Sequence, residues 1–262
     1  MKLLWIARTC PFPANDGEKL RVYNLLKNLA RTHEITLVYR QIEPEESSGA
    51  EELGRFCKAV HGVPVGRPRG VLGRLRWAMP FVFSPYPISL CTVFFKPILL
   101  VLQDLVRTEQ FDIVQVEHSS LTIYLDHLNF AARPPCVLTL HNIDYVRNER
   151  ILANSSWGVA KFYHWLNQRK FKRWELESLG RYEQLIAMSE LDRDLLLREM
   201  PGLSVTVVPN GVDVNAVPYE PVAASSRTMI FVASMDSEAN HDGAMFFLRE
   251  VWPSLQRGGV AW

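Results

Sequence analysis

The chain has 262 residues, 48% hydrophobic and 22% charged, and its 29 Lys plus Arg against 28 Asp plus Glu leave a formal net charge of +1. This is the balance of a globular protein with one large domain or two modest ones, not of a disordered or fibrous chain. Near-neutrality argues against a dedicated nucleic-acid binder, which carries a clear basic excess.

In chain order, short apolar runs alternate with helical patterns. Leu3–Ala7 reads as a buried strand, and its five apolar residues before Arg8 are too few for a secretory signal, whose core needs about 7–15. Asn15-Asp16-Gly17-Glu18 opens a helix, with Asn15 as cap and Glu18 three residues on. Leu20, Tyr23, Leu26 and Leu29 then share a face toward Ala30. Ile35–Tyr39 is the next strand, Glu45 to Phe56 a weaker helix, and Val60–Val65 a third short strand. Trp77–Phe95 runs nineteen residues without a formal charge, close to the about 20 that span a bilayer. Pro80, Pro85 and Pro87 break that run, which predicts a loop leading into a buried helix.

Leu99–Thr108 is helical, Phe111–Val116 is a strand ending at Glu117-His118, and Val137–Leu140 is a strand ending at His141-Asn142. Lys161–Arg173 reads as an exposed basic helix, balanced by Glu175, Glu177 and Glu183. Leu185–Met188 ends at Ser189-Glu190 before a helix through Leu195–Leu197, and Val205–Val208 ends at Pro209-Asn210-Gly211. Strands alternating with helices predict an α/β fold with a Rossmann-like parallel sheet covered on both faces. A linker is expected at 218–226, followed by a strand over Thr228–Ala233 and a helix from Asp242 to Leu255. The domains expected are therefore a lobe over 1–217 and a single strand-helix unit over 227–262, too little to be a domain by itself.

The four cysteines, Cys10, Cys57, Cys91 and Cys136, include no Cys-x-x-Cys pair. That argues against a typical zinc site and a disulfide scaffold, and for free thiols in a reducing, cytoplasmic setting. From Leu53 to Gln103 there is no acidic residue, while Arg55, Lys58, Arg67, Arg69, Arg74, Arg76 and Lys96 are basic. Two readings of this segment stand: a solvated loop with a partly buried aromatic end, or a peripheral contact with the inner face of a membrane through 66–87.

In open parallel sheets ligands bind beyond the carboxyl ends of the strands. Polar residues recur at those ends: Asp16, Gly17 and Arg21 after the first strand, then Glu117 and His118, then His141 and Asn142, then Asn210 and Gly211. Asn15-Asp16-Gly17 before a helix suits an anion, because the first turn leaves N–H groups and a positive dipole end. Asn210-Gly211 reads as a turn with Gly at positive φ. A histidine at a strand end is equally read as a hydrogen-bonded structural residue or as a ligand group.

This series resembles glycosyltransferase family 4, whose GT-B fold has two facing Rossmann-like lobes. The resemblance rests on Pro11–Gly17 with Arg21, Val116-Glu117-His118, Thr139-Leu140-His141-Asn142, Met188–Asp192 and Val208–Asp213, with Met229–Pro253 resembling the opening of the second lobe. It implies a retaining transfer of a sugar from a nucleotide-sugar donor to a glycan or lipid-linked acceptor, with no cofactor and no obligatory metal. By the same resemblance His118 orients the reacting sugar, Gly17, Ser234 and Asn240 meet the donor, and Asp16, Arg21, Glu117, His141 and Asn142 face the acceptor. Two departures stand out. Ala233–His241 carries neither the Arg nor the Lys that many members use to hold the diphosphate, and the family's paired glutamates have no counterpart. The expectation is an acceptor lobe with a donor lobe cut short, inactive as this chain; the alternative is a non-catalytic sugar-binding or partner-docking module.

Overall fold

The computed structural model describes residues 1–41, 46–66, 70–154, 158–214, 217, 219, 221, 228–235 and 238–257. The apolar runs pair as one seven-stranded sheet. Its strands are β1 (Lys2–Ala7), β2 (Glu34–Gln41), β3 (Ala59–Pro64), β4 (Ile113–Glu117), β5 (Cys136–Leu140), β6 (Gln184–Ala187) and β7 (Val205–Val207). Their spatial order is β3-β2-β1-β4-β5-β6-β7. Every neighbouring pair is parallel, with Leu4 opposite Thr36 on one side of β1 and opposite Val114 on the other. The order therefore reverses at β1, where the chain builds outward first through β2 and β3 and then through β4 to β7. Such a switch point splays the connections apart and opens a crevice at the carboxyl ends of β1 and β4.

Alternation along β1 fills both faces. Leu4 and Ile6 join a core with Val114, Val116, Leu138 and Leu140. Leu3, Trp5 and Ala7 join a second core with Ile35, Leu37 and Tyr39. Helices close each face. The second core takes Val22 and Leu26 of α1 (Gly17–Leu29) and Leu53 of α2 (Glu46–Gly54). The first takes Leu102 and Leu105 from a later helix, α4 (Lys96–Thr108), and Phe171 and Trp174 from α7 (Val159–Leu179). Burial on both faces is why the strands read as continuous apolar runs.

Between them stand α3 (Gly70–Val82), the short α5 (Thr122–Leu125) and α6 (Asp144–Asn154), with α8 (Glu190–Glu199) after β6. Three expectations change here. Helix α3 takes the first six residues of the Trp77–Phe95 stretch read as a loop: Pro80 lies in its last turn, where it forgoes the N–H bond to the Arg76 carbonyl, and the helix ends two residues later at Val82. Lys170 binds the carbonyls of Val82 and Ser84 at 2.8 and 3.0 Å and so holds the end of α3. The basic stretch 161–173 belongs to a 21-residue helix that is not simply exposed: Phe171, Trp174, Glu175 and Ser178 are buried. The cap of α1 is Asp16, whose Oδ1 accepts from the Lys19 N–H at 2.8 Å, and not Asn15.

The four cysteines are buried and no disulfide joins them. Burial pushes the Cys57 thiol up to about 12. Among the described residues no helix is long and apolar enough to cross a membrane.

Residues 211–262 form a second compact unit, distinct from Met1–Asn210. Within it, α9 (Glu238–Phe246), a π-helical turn (Phe247–Val251) and α10 (Trp252–Arg257) run on from one another. The described residues 228–235 form no strand. An extended run becomes a strand only by pairing its N–H and C=O groups, and among the described residues of this unit there is no strand to pair with.

Leu102 is fully buried and Leu100, on the same helix, is 54% exposed. Leu102→Ala is expected to lower unfolding stability by about 2–5 kcal/mol, and Leu100→Ala to stay within about 0.5 kcal/mol. Urea titration of both variants checks this; equal losses would contradict the assignment of the α4 inner face.

Candidate functional site at the sheet switch point

The wall of the crevice begins at the end of β4. Its last residue, Glu117, is fully buried. Glu117 Oε2 lies 2.8 Å from His141 Nε2, and Oε1 accepts from Gln115 Nε2 at 3.1 Å. Gln115 Nε2 also reaches Thr139 Oγ1 at 2.7 Å. A carboxylate only accepts, so Nε2 of His141 carries the hydrogen. Glu117, assigned to the acceptor by resemblance, thus acts on His141 in this structure and presents no open oxygen. His141 stands at the end of β5 with Asn142 exposed beside it.

His118 follows with φ 107° and ψ 132°. A non-glycine residue there is strained and persists only where its surroundings over-determine it. Its backbone N–H is held by Thr139 O at 3.0 Å. Its ring Nδ1 accepts from the Ser120 N–H at 3.3 Å and lies 2.8 Å from Ser120 Oγ. Nε2 is 3.5 Å from Asp144 Oδ2, which also accepts from Ser119 Oγ at 3.1 Å. Desolvation pushes the His118 imidazolium below its usual range, with the Asp144 carboxylate opposing it. His118 is therefore a caught, neutral-leaning imidazole and not a free surface base.

Behind Asp144 lies Glu175 of α7, fully buried. Its Oε2 accepts from the Tyr145 N–H at 2.7 Å, at the first turn of α6. Burial, reinforced by the Asp144 carboxylate, pushes Glu175 up to about 8. Ser119, Asp144 and Glu175 are the residues that sequence reasoning passed over. Asp144 had a faint signal, an acid at a helix start just beyond a strand end; Glu175 had none, because its partner helix is remote in sequence.

The other side of the crevice is α1. Its N-terminal N–H groups point to the carboxyl edge because a helix after a parallel strand runs back antiparallel to it. A Cβ built on Gly17 meets nothing within 4 Å. The glycine is therefore not required by packing within this chain, and it leaves the helix end uncovered. Arg8, after β1, pairs with Glu18. Arg21 donates to Pro209 O at 2.9 Å and to Asn210 Oδ1 at 3.1 Å. Desolvation lowers its pKa, against the attraction of Glu117. Arg21 thus ties the turn after β7 to α1, bringing Asn210 to the crevice while its own guanidinium is partly spent. Gly211 does not take the positive φ read from the sequence, since a φ in that range is found at Gly70 and not there. In the second unit Asn240 Nδ2 donates to Ser234 O at 3.0 Å, which brings these two residues together.

A reversed parallel sheet whose carboxyl edge gathers helix N-termini, two histidines and buried acids defines a Rossmann-like ligand-binding lobe. The model of Glycosyltransferase Family 4 matches residues 17–216, and the chain belongs to that family. In fold it is similar to sucrose-phosphate synthase from Thermosynechococcus elongatus, at TM-score 0.54 and 12% identity, over 82% of this chain and 49% of that one. This is the Rossmann-like lobe of the GT-B glycosyltransferases. In sequence it is 21% identical over 256 residues to an uncharacterised 44.6 kDa protein of the cps region of Klebsiella pneumoniae, covering 97% of this chain and 61% of that protein.

Glu175 predicts a pH signature. A carboxyl whose pKa is raised on folding contributes stability that is complete below its unfolded value and lost as pH climbs through the folded one. Glu175→Gln keeps an acceptor for the Tyr145 N–H and removes the ionisation. Between pH 5 and 8.5 its stability is expected to gain on the wild type, by no more than about 1.4 kcal/mol per pH unit. Denaturant titrations across that range measure the difference, and a gap that does not move with pH would contradict it.

Proposed function

We propose that this chain carries the acceptor-binding lobe of a retaining glycosyltransferase that moves a sugar from a nucleotide-sugar to a hydroxyl of a glycan or lipid-linked acceptor. The observation that carries this reading is His118 at the switch point of a family 4 chain, strained at φ 107° and held between Ser120 and Asp144. In the reaction, charge builds on the departing diphosphate, and help comes from groups already aimed at it. Gly17 at the start of α1 is the place for that diphosphate, because the helix end offers N–H donors and no side chain obstructs the approach. His118 hydrogen-bonds and orients the reacting sugar. His141 and Asn142 face the acceptor, Glu117 acts through His141, and Asp16 and Arg21 shape the same side. Ser234 and Asn240 are assigned to the donor, with hydrogen bonds in place of cations. The reading requires no cofactor and no metal.

The chain spans 61% of the length of its curated relative, and Ala233–His241 holds no Arg or Lys. Both support the further proposal that these 262 residues alone bind acceptor but transfer little or no sugar.

The test is a panel of UDP-, GDP- and dTDP-sugars with glycan and polyisoprenyl-phosphate-linked acceptors. Saturable binding of an acceptor is expected, weakened about tenfold by His118→Ala through loss of one hydrogen bond worth about 1.4 kcal/mol. Binding of no acceptor would contradict the lobe assignment. Steady transfer by the purified chain would overturn the inactivity, and acceptor binding with no nucleotide-sugar binding would favour the non-catalytic module.

A further inference from the structure

Helix α3 carries an apolar face that nothing in its own unit covers. Val71 is 75% exposed, Leu72 81%, Leu75 57% and Met79 47%, and Phe83 just past the helix is 83% exposed. At 100° per residue Val71, Leu72, Leu75 and Met79 fall on one stripe, about a quarter of the circumference. The opposite side is the anchored one: Trp77 packs on Phe95 with ring centroids 5.5 Å apart, and Phe81 on Phe94 at 6.4 Å. Lys170 closes the helix end. The stripe therefore faces outward from a helix that is fixed to the body of the lobe.

Charge supplies the second observation. Arg74 and Arg76 are exposed and flank the stripe on either side. Among the described residues neither has an ion-pair partner, in contrast to Arg173 and Arg181, which pair with Glu177 and Asp126. Arg67 and Arg69 precede the helix in sequence, Lys96 follows it, and no carboxylate occurs from Leu53 to Gln103.

We propose that α3 docks this lobe on an anionic lipid surface, its apolar stripe entering the headgroup boundary and Arg74 and Arg76 pairing with lipid phosphates. A convex helix with protruding Leu72 and Phe83 suits insertion into a soft interface, and the total absence of acid suits a surface that repels every carboxylate. A protein partner would need a matching groove and gives no reason for that absence. Topology adds a consequence. The helix opens six residues after Pro64, the carboxyl end of β3, which lies on the same edge of the parallel sheet as His118. Docking by α3 therefore brings the carboxyl edge of the sheet near the lipid surface through the first turn of the helix. The docking does not depend on the sugar-transfer reading, and its test involves no sugar.

The experiment is co-sedimentation of the 262-residue chain with vesicles of phosphatidylcholine alone and of phosphatidylcholine with about one third phosphatidylglycerol, in low and high salt. Binding to the anionic vesicles and its loss in high salt are expected. R74Q and R76Q should each weaken it about 5-fold and together about 30-fold. Leu72→Ser with Phe83→Ser should abolish the sedimenting fraction at low salt, while far-UV dichroism and the melting curve stay those of the wild type. No binding by the wild type, equal binding to neutral vesicles, or unchanged binding by both variant pairs overturns the proposal. So does a wild-type dimer that the serine variant dissolves without any vesicle binding, which would assign the stripe to a second copy.

Discussion

The bond from His141 to Glu117 joins the carboxyl ends of β4 and β5 at the point where the sheet opens. Glu117 is the last residue of β4 and has no exposed surface. A buried carboxylate without its partner is an uncompensated charge, so removing one member of such a pair costs about 3–5 kcal/mol. The pair fixes where β4 stops, and so fixes the backbone of His118, whose N–H is taken by Thr139 of the neighbouring strand. The strained φ of His118, the turn through Ser119 and Ser120, and the seat of Asp144 follow from that register.

The same edge gathers the positive ends of helices in a chain of near-zero net charge. Helices α1, α6 and α8 begin at the carboxyl edge and bring their positive ends there. Asp16 and Ser189 cap two of them locally, and Glu175 takes the Tyr145 N–H of the third. A buried carboxyl that holds its proton at neutral pH satisfies a helix end without adding a second full charge beside Asp144. The edge beside Asp144 thereby carries one negative charge fewer.

Much of this was legible in the sequence because strand pairing is set by short apolar runs. All seven strands fall where those runs lie, and the polar residues just after them gather at one edge. What the sequence concealed has physical reasons. The sequence of helix α3 reads as a loop because Pro80, Pro85 and Pro87 weigh against a helix, while the Lys170 contact that ends it comes from another part of the chain. Helix α7 reads as exposed because its buried polar residues, Asn167, Gln168, Glu175 and Ser178, blur the amphipathic pattern. Glu117 looked like a ligand group because a strand end is where ligand groups stand. Its distance to His141, which spends it on structure, is tertiary information. The segment 228–235 has strand composition, but pairing is a property of neighbours and not of composition.

The central claim is that the Glu117–His141 pair sets the crevice. A double-mutant cycle in urea, with Glu117→Gln, His141→Asn and both together, measures it directly. Each single change is expected to cost about 3 kcal/mol or more, and the double to cost less than the sum by over about 1 kcal/mol. Costs that add within about 0.5 kcal/mol would mean that the two side chains are neighbours without being coupled, and that the edge of the sheet is held by something else.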